Sequence, residues 1–238
     1  MSTPELAPIP MPPAPPPSGA LRISLRTAAI LLTFTLAFTG LMAGVYQITK
    51  PTLDATAQEA KRRLIGEVLT PDRYDNELLE DAIKLPVTPA LGLAAPTMLY
   101  RARLGDQPAA LVFETAAPDG YSGEIRLILA VRADGRLAAV RVTQHKETPG
   151  LGDYIDARKD KNKTHPWITQ FSGRHFGNPP REKWRVKKDG GIFDQRTGAT
   201  ISARAVTNAT TRALAWALER AEALYALPTG TTYEEKSP

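Results

Sequence analysis

From Thr27 to Thr49 the chain runs TAAILLTFTLAFTGLMAGVYQIT, 23 residues without a charged side chain, with Arg22 and Arg26 before it and Lys50 after it. At about 1.5 Å per residue such a helix is roughly 34 Å long, enough to cross the hydrocarbon core of a bilayer. The run is too long for a cleaved signal peptide, and no small-residue cleavage site precedes KPTLDATAQEAKRR, so residues 21–50 are expected to form a retained transmembrane anchor. Helix-forming residues resume after Pro51 and should stop before Pro71. An irregular stretch around Pro86, Pro89 and Pro96 then completes a membrane-proximal connection over residues 51–100.

Beyond residue 100 the period changes to two. AALVFETA (residues 109–116) is a strand candidate, and Ile125, Leu127, Leu129 and Val131 share one face of the next strand. Asp134 and Gly135 form a tight turn, after which Ala138, Val140 and Val142 alternate back, which predicts a hairpin. The last periodic segment is helical. Val206, Ala209, Ala213, Ala217, Ala221 and Leu224 recur at three and four residues within ARAVTNATTRALAWALERAEALYA (203–226), limited by Pro228. The expected fold class is α+β: one transmembrane helix, then a single soluble domain over residues 101–227 with an antiparallel sheet and helices. Residues 1–20, almost without charge and dense in proline, are expected to be a disordered or polyproline II tail, and residues 228–238 a flexible one.

Composition narrows the chemistry. Hydrophobic residues at 42% and charged residues at 23% fit a globular domain. The net charge of +5 is spread among acids without aromatic interleaving, which reads as a solvated surface rather than a nucleic-acid footprint. The absence of cysteine excludes a cysteine-ligated iron–sulfur cluster, a CxxCH haem site, a disulfide framework and a thiol nucleophile. His145, His165 and His175 lack the spacing of a metal site, and no GxGxxG follows a strand. The two Asn-x-Thr triplets, at Asn162 and Asn208, read as glycosylation acceptors, and chance is the better account of the second, which falls inside the last helix. Trp167 and Phe171 are expected in the core.

The chemistry gathers in DQRTGATIS, residues 194–202. Ser202 is expected to cap the final helix, which places Thr200 beside unpaired amides and the positive end of the helix dipole, a seat for an anion. Gly198 allows a positive φ or a close approach to the backbone. Without further information the same residues describe a turn, a cap and a helix.

DQRTGATIS resembles the D-x-x-[ST]-G-A-[TS] signature at which a flavin transferase joins FMN through a phosphoester to the final hydroxyl residue. That signature belongs to the FMN-binding domains of the G subunit of the Rnf complex and the C subunit of the sodium-translocating NADH:quinone oxidoreductase. HKETPGLGDYI (145–155) is similar to the HxETPGLG segment of Rnf G subunits, and APDGYSGEIRLILAVRADGRL to the family hairpin before it. The similarity covers about residues 21–226. It implies Thr200 as the acceptor, with Asp194, Thr197, Gly198, Ala199 and Ser202 around it, and Glu147, Thr148, Gly150, Leu151 and Gly152 as a loop against the flavin. It also implies covalent FMN as an electron relay between ferredoxin and NAD coupled to ion movement, other Rnf subunits and a flavin transferase as partners, no catalytic residue of its own, and no metal. The flanking charges give both orientations: Arg22 and Arg26 against Lys50 favour a cytoplasmic amino terminus, and Lys61, Arg62 and Arg63 reverse the count in a wider window. The resemblance selects the first, with the soluble domain periplasmic to the inner membrane. The quinone reductase homologue and a cofactor-free tethered binding module are the two alternatives.

Overall fold

The computed structural model describes residues 17–234. Residues 1–16, the bulk of the proline-rich segment, lie outside the described residues, as do residues 235–238. The chain up to Gln58 and the chain from Glu59 form two compact units.

The described part of the first unit is helical. It contains most of α1, Pro17–Gly66, which begins within the expected tail and runs through Pro51, beyond the expected end of the anchor. Proline inside a helix removes one backbone donor, and here the helix continues past it into AQEAKRRL (57–64), a run of strong helix formers. Leu31, Phe34, Leu36, Phe38 and Leu41 are all exposed, and Phe34 stacks on Phe38 one turn away. The best window has a mean hydropathy of 2.0, so this is a helix long and apolar enough to span a membrane.

The second unit is built on a five-stranded antiparallel meander: β1 Ala82–Leu85, β2 Thr97–Leu104, β3 Gln107–Ala117, β4 Ile125–Arg132 and β5 Leu137–Gln144, in that spatial order. The α+β class and the hairpin at Asp134 and Gly135 are as expected, with Leu129 opposite Val140. β1 and β2 fall largely in the stretch expected to be irregular. Their pattern is not period two because both faces of the sheet are covered. On one face Leu99, Leu111, Phe113, Leu127, Leu129 and Val140 pack with α2, Thr200–Ala226. On the other, Tyr100, Val112, Ile128 and Ala130 meet Ile65, Val68 and Leu69 at and beyond the end of α1. Each large aliphatic side chain so buried contributes about 1.5–3 kcal/mol.

β2 also carries a buried cation, which further obscures it. Arg101 is 1% exposed; its guanidinium pairs with Asp81 and donates to the Leu224 carbonyl at 3.1 Å and to Thr229 Oγ1 at 2.9 Å. It thereby satisfies the carboxyl end of α2, where the dipole favours a positive charge. Residues 228–234, expected to trail away, run instead along β1: Lys84 N donates to the Thr231 carbonyl at 2.9 Å, and Tyr233 N to the Lys84 carbonyl at 2.8 Å. This covers the sheet edge.

Between β5 and α2 the chain makes an excursion of short 3-10 turns closed by aromatic packing. Trp167 meets Phe171 edge-on at 5.6 Å, and Phe171 lies 4.4 Å from Phe193. Trp167 and Phe171 are core residues, as their sequence context implied. The excursion brings residues 194–199 to the start of α2.

Candidate functional site

α2 starts at Thr200, three residues before the expected Ala203. Ala199 is its N-cap, and no side chain caps it. The amides of the first turn have no carbonyl four residues back inside the helix, so an uncapped start offers them to an anion. Ser202 is therefore not the cap. It lies in the first turn, 1% exposed, and its hydroxyl donates to Glu147.

Glu147 is 4% exposed and is the centre of the local network. Besides Ser202 it accepts from the backbone amide of Ser122 at 3.0 Å, so one carboxylate ties the β3–β4 turn, the loop after β5 and the head of α2. Among the described residues no basic side chain forms an ion pair with it, and its link to the head of α2 runs through Ser202. Gly152 lies against this pair. A Cβ there would come within 2.8 Å of both Glu147 Oε2 and Ser202 Oγ, so any side chain at this position would have to displace that hydrogen-bonded pair.

The turn into α2 is fixed from beneath. The buried Tyr154 hydroxyl accepts from the Arg196 amide at 3.1 Å and donates to the Ala199 carbonyl at 3.2 Å. Burial pushes the Tyr154 hydroxyl above its ordinary pKa, so it stays a neutral donor at physiological pH. The Arg196 guanidinium lies over the Tyr154 ring at 4.5 Å and pairs with buried Asp160. Burial opposes ionisation of Asp160, but the amides of Trp167 and Asn162 together with Arg196 outweigh it and hold the carboxyl below its ordinary value. Gly198 has φ +85°, and a Cβ there would meet only Leu151 Cδ1 at 3.6 Å. The constraint on Gly198 is therefore the left-handed backbone, not space.

A shallow cleft of about 90 Å³ opens at this point. Glu147, Thr148, Leu151 and Gly152 form one wall, and Gly198, Ala199 and Ser202 another. Ile201 and Tyr121, neither singled out from sequence, complete it. Thr200 is half-buried between the lining residues Ala199 and Ile201. Four of the sequence candidates lie outside the lining: Thr200 itself, Thr197, Gly150 and Asp194. Thr197 is exposed, and the Gly150 amide donates to Asp153 Oδ1 at 2.9 Å. Asp194 is exposed, pairs with Lys187, and holds the frame through its backbone: its amide donates to Gln170 Oε1 at 2.8 Å, and its carbonyl accepts from Trp167 Nε1 at 2.6 Å. Among the described residues no cluster of three or more His, Asp or Glu could hold a metal.

The residues suit one end of a flavin nucleotide better than the whole of it. Sites that engulf a ligand of that size run to several hundred cubic ångströms. This cleft can seat a phosphate against uncapped amides, leaving a flat ring to lie across its rim.

Two family models match the chain: an FMN-binding domain over residues 120–215, and an RnfG N-terminal region over residues 19–68. The G subunit of the ion-translocating oxidoreductase complex of Pseudomonas aeruginosa is 45% identical over 193 residues, covering 81% of this chain and 88% of the relative. The protein of that name from Cronobacter sakazakii is 43% identical over 208 residues (87% and 97%), and that from Salmonella typhi 46% over 183 residues (77% and 85%).

Proposed function

The chain belongs to the family of G subunits of ion-translocating oxidoreductase complexes, and from that premise we propose that it is a membrane-anchored electron relay carrying FMN esterified to Thr200. The relay works within an Rnf-type complex, between ferredoxin and NAD, with electron flow coupled to ion translocation by the other subunits. The amino terminus is cytoplasmic and the soluble unit periplasmic, where a covalent bond matters because the cofactor cannot be lost by dissociation.

The observation that carries this reading is the uncapped start of α2: Thr200 is its first residue, preceded by Gly198 at positive φ and flanked by the cleft. A phosphodiester at Thr200 keeps one negative charge within reach of the Ile201 and Ser202 amides and the helix dipole. Thr200 holds the nucleotide, the turn from Thr197 to Ala199 presents the hydroxyl, and the Glu147 network keeps the cleft in shape. FMN supplies the redox chemistry; the protein supplies position and environment. Among the described residues no base is hydrogen-bonded to the Thr200 hydroxyl to activate it for self-modification, so a separate flavin transferase forms the ester.

The test is coexpression of the full chain with a flavin transferase, followed by a denaturing gel under ultraviolet light. The wild-type band fluoresces and Thr200→Val is dark while still membrane-bound. Fluorescence persisting in Thr200→Val moves the attachment elsewhere; a dark wild-type band removes the relay and leaves a tethered module without cofactor.

A further inference from the structure

The second unit leaves few large apolar side chains in water. Among its described residues six are exposed: Val87, Leu104, Tyr121, Leu151, Ile201 and Leu218. Three of the six, Tyr121 at 64%, Leu151 at 45% and Ile201 at 45%, line the cleft at the head of α2. Isolated exposed hydrophobics are ordinary, but convergence of three on one concavity marks a surface with an occupant.

Tyr121 is also held in place. It sits in the turn between β3 and β4, where Gly120 packs so tightly that a Cβ would lie 2.2 Å from the Gly123 carbonyl oxygen and 2.9 Å from Ile125. The next amide, that of Ser122, is held by buried Glu147 at 3.0 Å, and Gly123 takes φ +117°. The turn is thus fixed on both sides of a tyrosine whose own ring is left mostly in solvent. A rigid backbone presenting an exposed aromatic beside a phosphate seat is the geometry of a stacking platform.

We propose that Tyr121 lays its ring against the isoalloxazine of the FMN borne on Thr200, with Leu151 and Ile201 supporting the ring's edge. This rests on the FMN assignment above and specifies where the ring lies. The three side chains shield one face of the flavin from water and fix its orientation on the rim, which sets the geometry of electron exchange.

Flavin fluorescence reads this directly. A phenol ring in contact with an excited isoalloxazine donates an electron that returns on relaxation, so emission is quenched with no net chemistry. The full chain is coexpressed with flavin transferase and purified in detergent as wild type, Tyr121→Leu and Tyr121→Trp. Covalent loading is measured by mass and emission per flavin by fluorescence, native and in denaturant. Tyr121→Leu raises native emission several-fold at unchanged loading, Tyr121→Trp keeps it quenched, and denaturant makes all three alike. Because Tyr121 is exposed, these variants melt with the wild type; an altered melting temperature with unaltered emission tells against stacking, as does native Tyr121→Leu emission equal to wild type. No covalent flavin in any variant overturns the FMN assignment itself, a result distinct from a loaded protein with a silent Tyr121.

Discussion

Glu147 and Ser202 show how much of a site depends on single polar atoms. A carboxylate that is 4% exposed and has two hydrogen-bond donors tolerates loss of neither well. Removing one partner of a buried group costs about 1–3 kcal/mol, more when that group is charged. Ser202→Ala in the full chain should therefore lower stability by about 2 kcal/mol, read as a reduced melting temperature in detergent. An unchanged melting temperature would mean that the pair is not formed. Gly198→Val forces a β-branched residue to positive φ, where such residues are strained. Its expected result is a folded protein with little covalent flavin by intact mass; full incorporation would show that the backbone turn is dispensable. At this scale the sequence is legible where residue chemistry is local: Gly198 takes the positive φ that its place in the turn before α2 suggested. Ser202 departs from expectation because a serine near a helix entrance usually caps it, whereas the first turn begins earlier and its hydroxyl answers a glutamate 55 residues away. Tyr121 gives no signal, since one tyrosine in a turn has no period.

Among the elements, the hairpin of β4 and β5 is readable from alternation and an Asp-Gly turn, while β1 and β2 are not. Burial on both faces erases the alternation, and Arg101 places a charge where a core strand is expected to be apolar. That charge has a structural duty, joining Asp81 to the carboxyl end of α2. Arg101→Met leaves Asp81 with Arg103 as its remaining arginine and the Leu224 carbonyl of α2 without its donor, and losing the buried member of such a network costs up to about 3–5 kcal/mol. Denaturant unfolding followed by circular dichroism should show it; a shift within error would reduce the network to decoration. Acid should act on the same groups. Burial opposes ionisation of Asp81, but Arg103 and Arg101 outweigh it and hold the carboxyl below its ordinary value, as the Trp167 and Asn162 amides and Arg196 do for Asp160. A depressed folded pKa gives stabilisation that is complete above the unfolded value of about 4 and is lost as pH falls through the folded one. Melting temperatures should be flat from neutral pH to about 5 and then drop, with a shallower drop in Asp160→Asn. An equally steep drop in that variant would place the acid sensitivity elsewhere.

For the whole molecule, the anchor is the most legible feature, because membrane length and hydrocarbon composition leave a signal that needs no tertiary context. Its continuation through Pro51 is not, since a proline boundary is a tendency, and here the helix continues past it into a run of strong helix formers. Orientation is testable because the chain has no cysteine. Asp119→Cys, in the exposed β3–β4 turn, should react with a membrane-impermeant maleimide in intact cells whose outer membrane is opened. Labelling only after the inner membrane is broken would put the soluble unit in the cytoplasm. Every functional statement still depends on one bond. Peptide mass spectrometry of the full chain, taken from membranes of its native host, should find the peptide containing Thr200 heavier by one FMN less water, with fragmentation placing the addition on that residue. An unmodified Thr200 peptide, in material where the other subunits are present and active, would contradict the account.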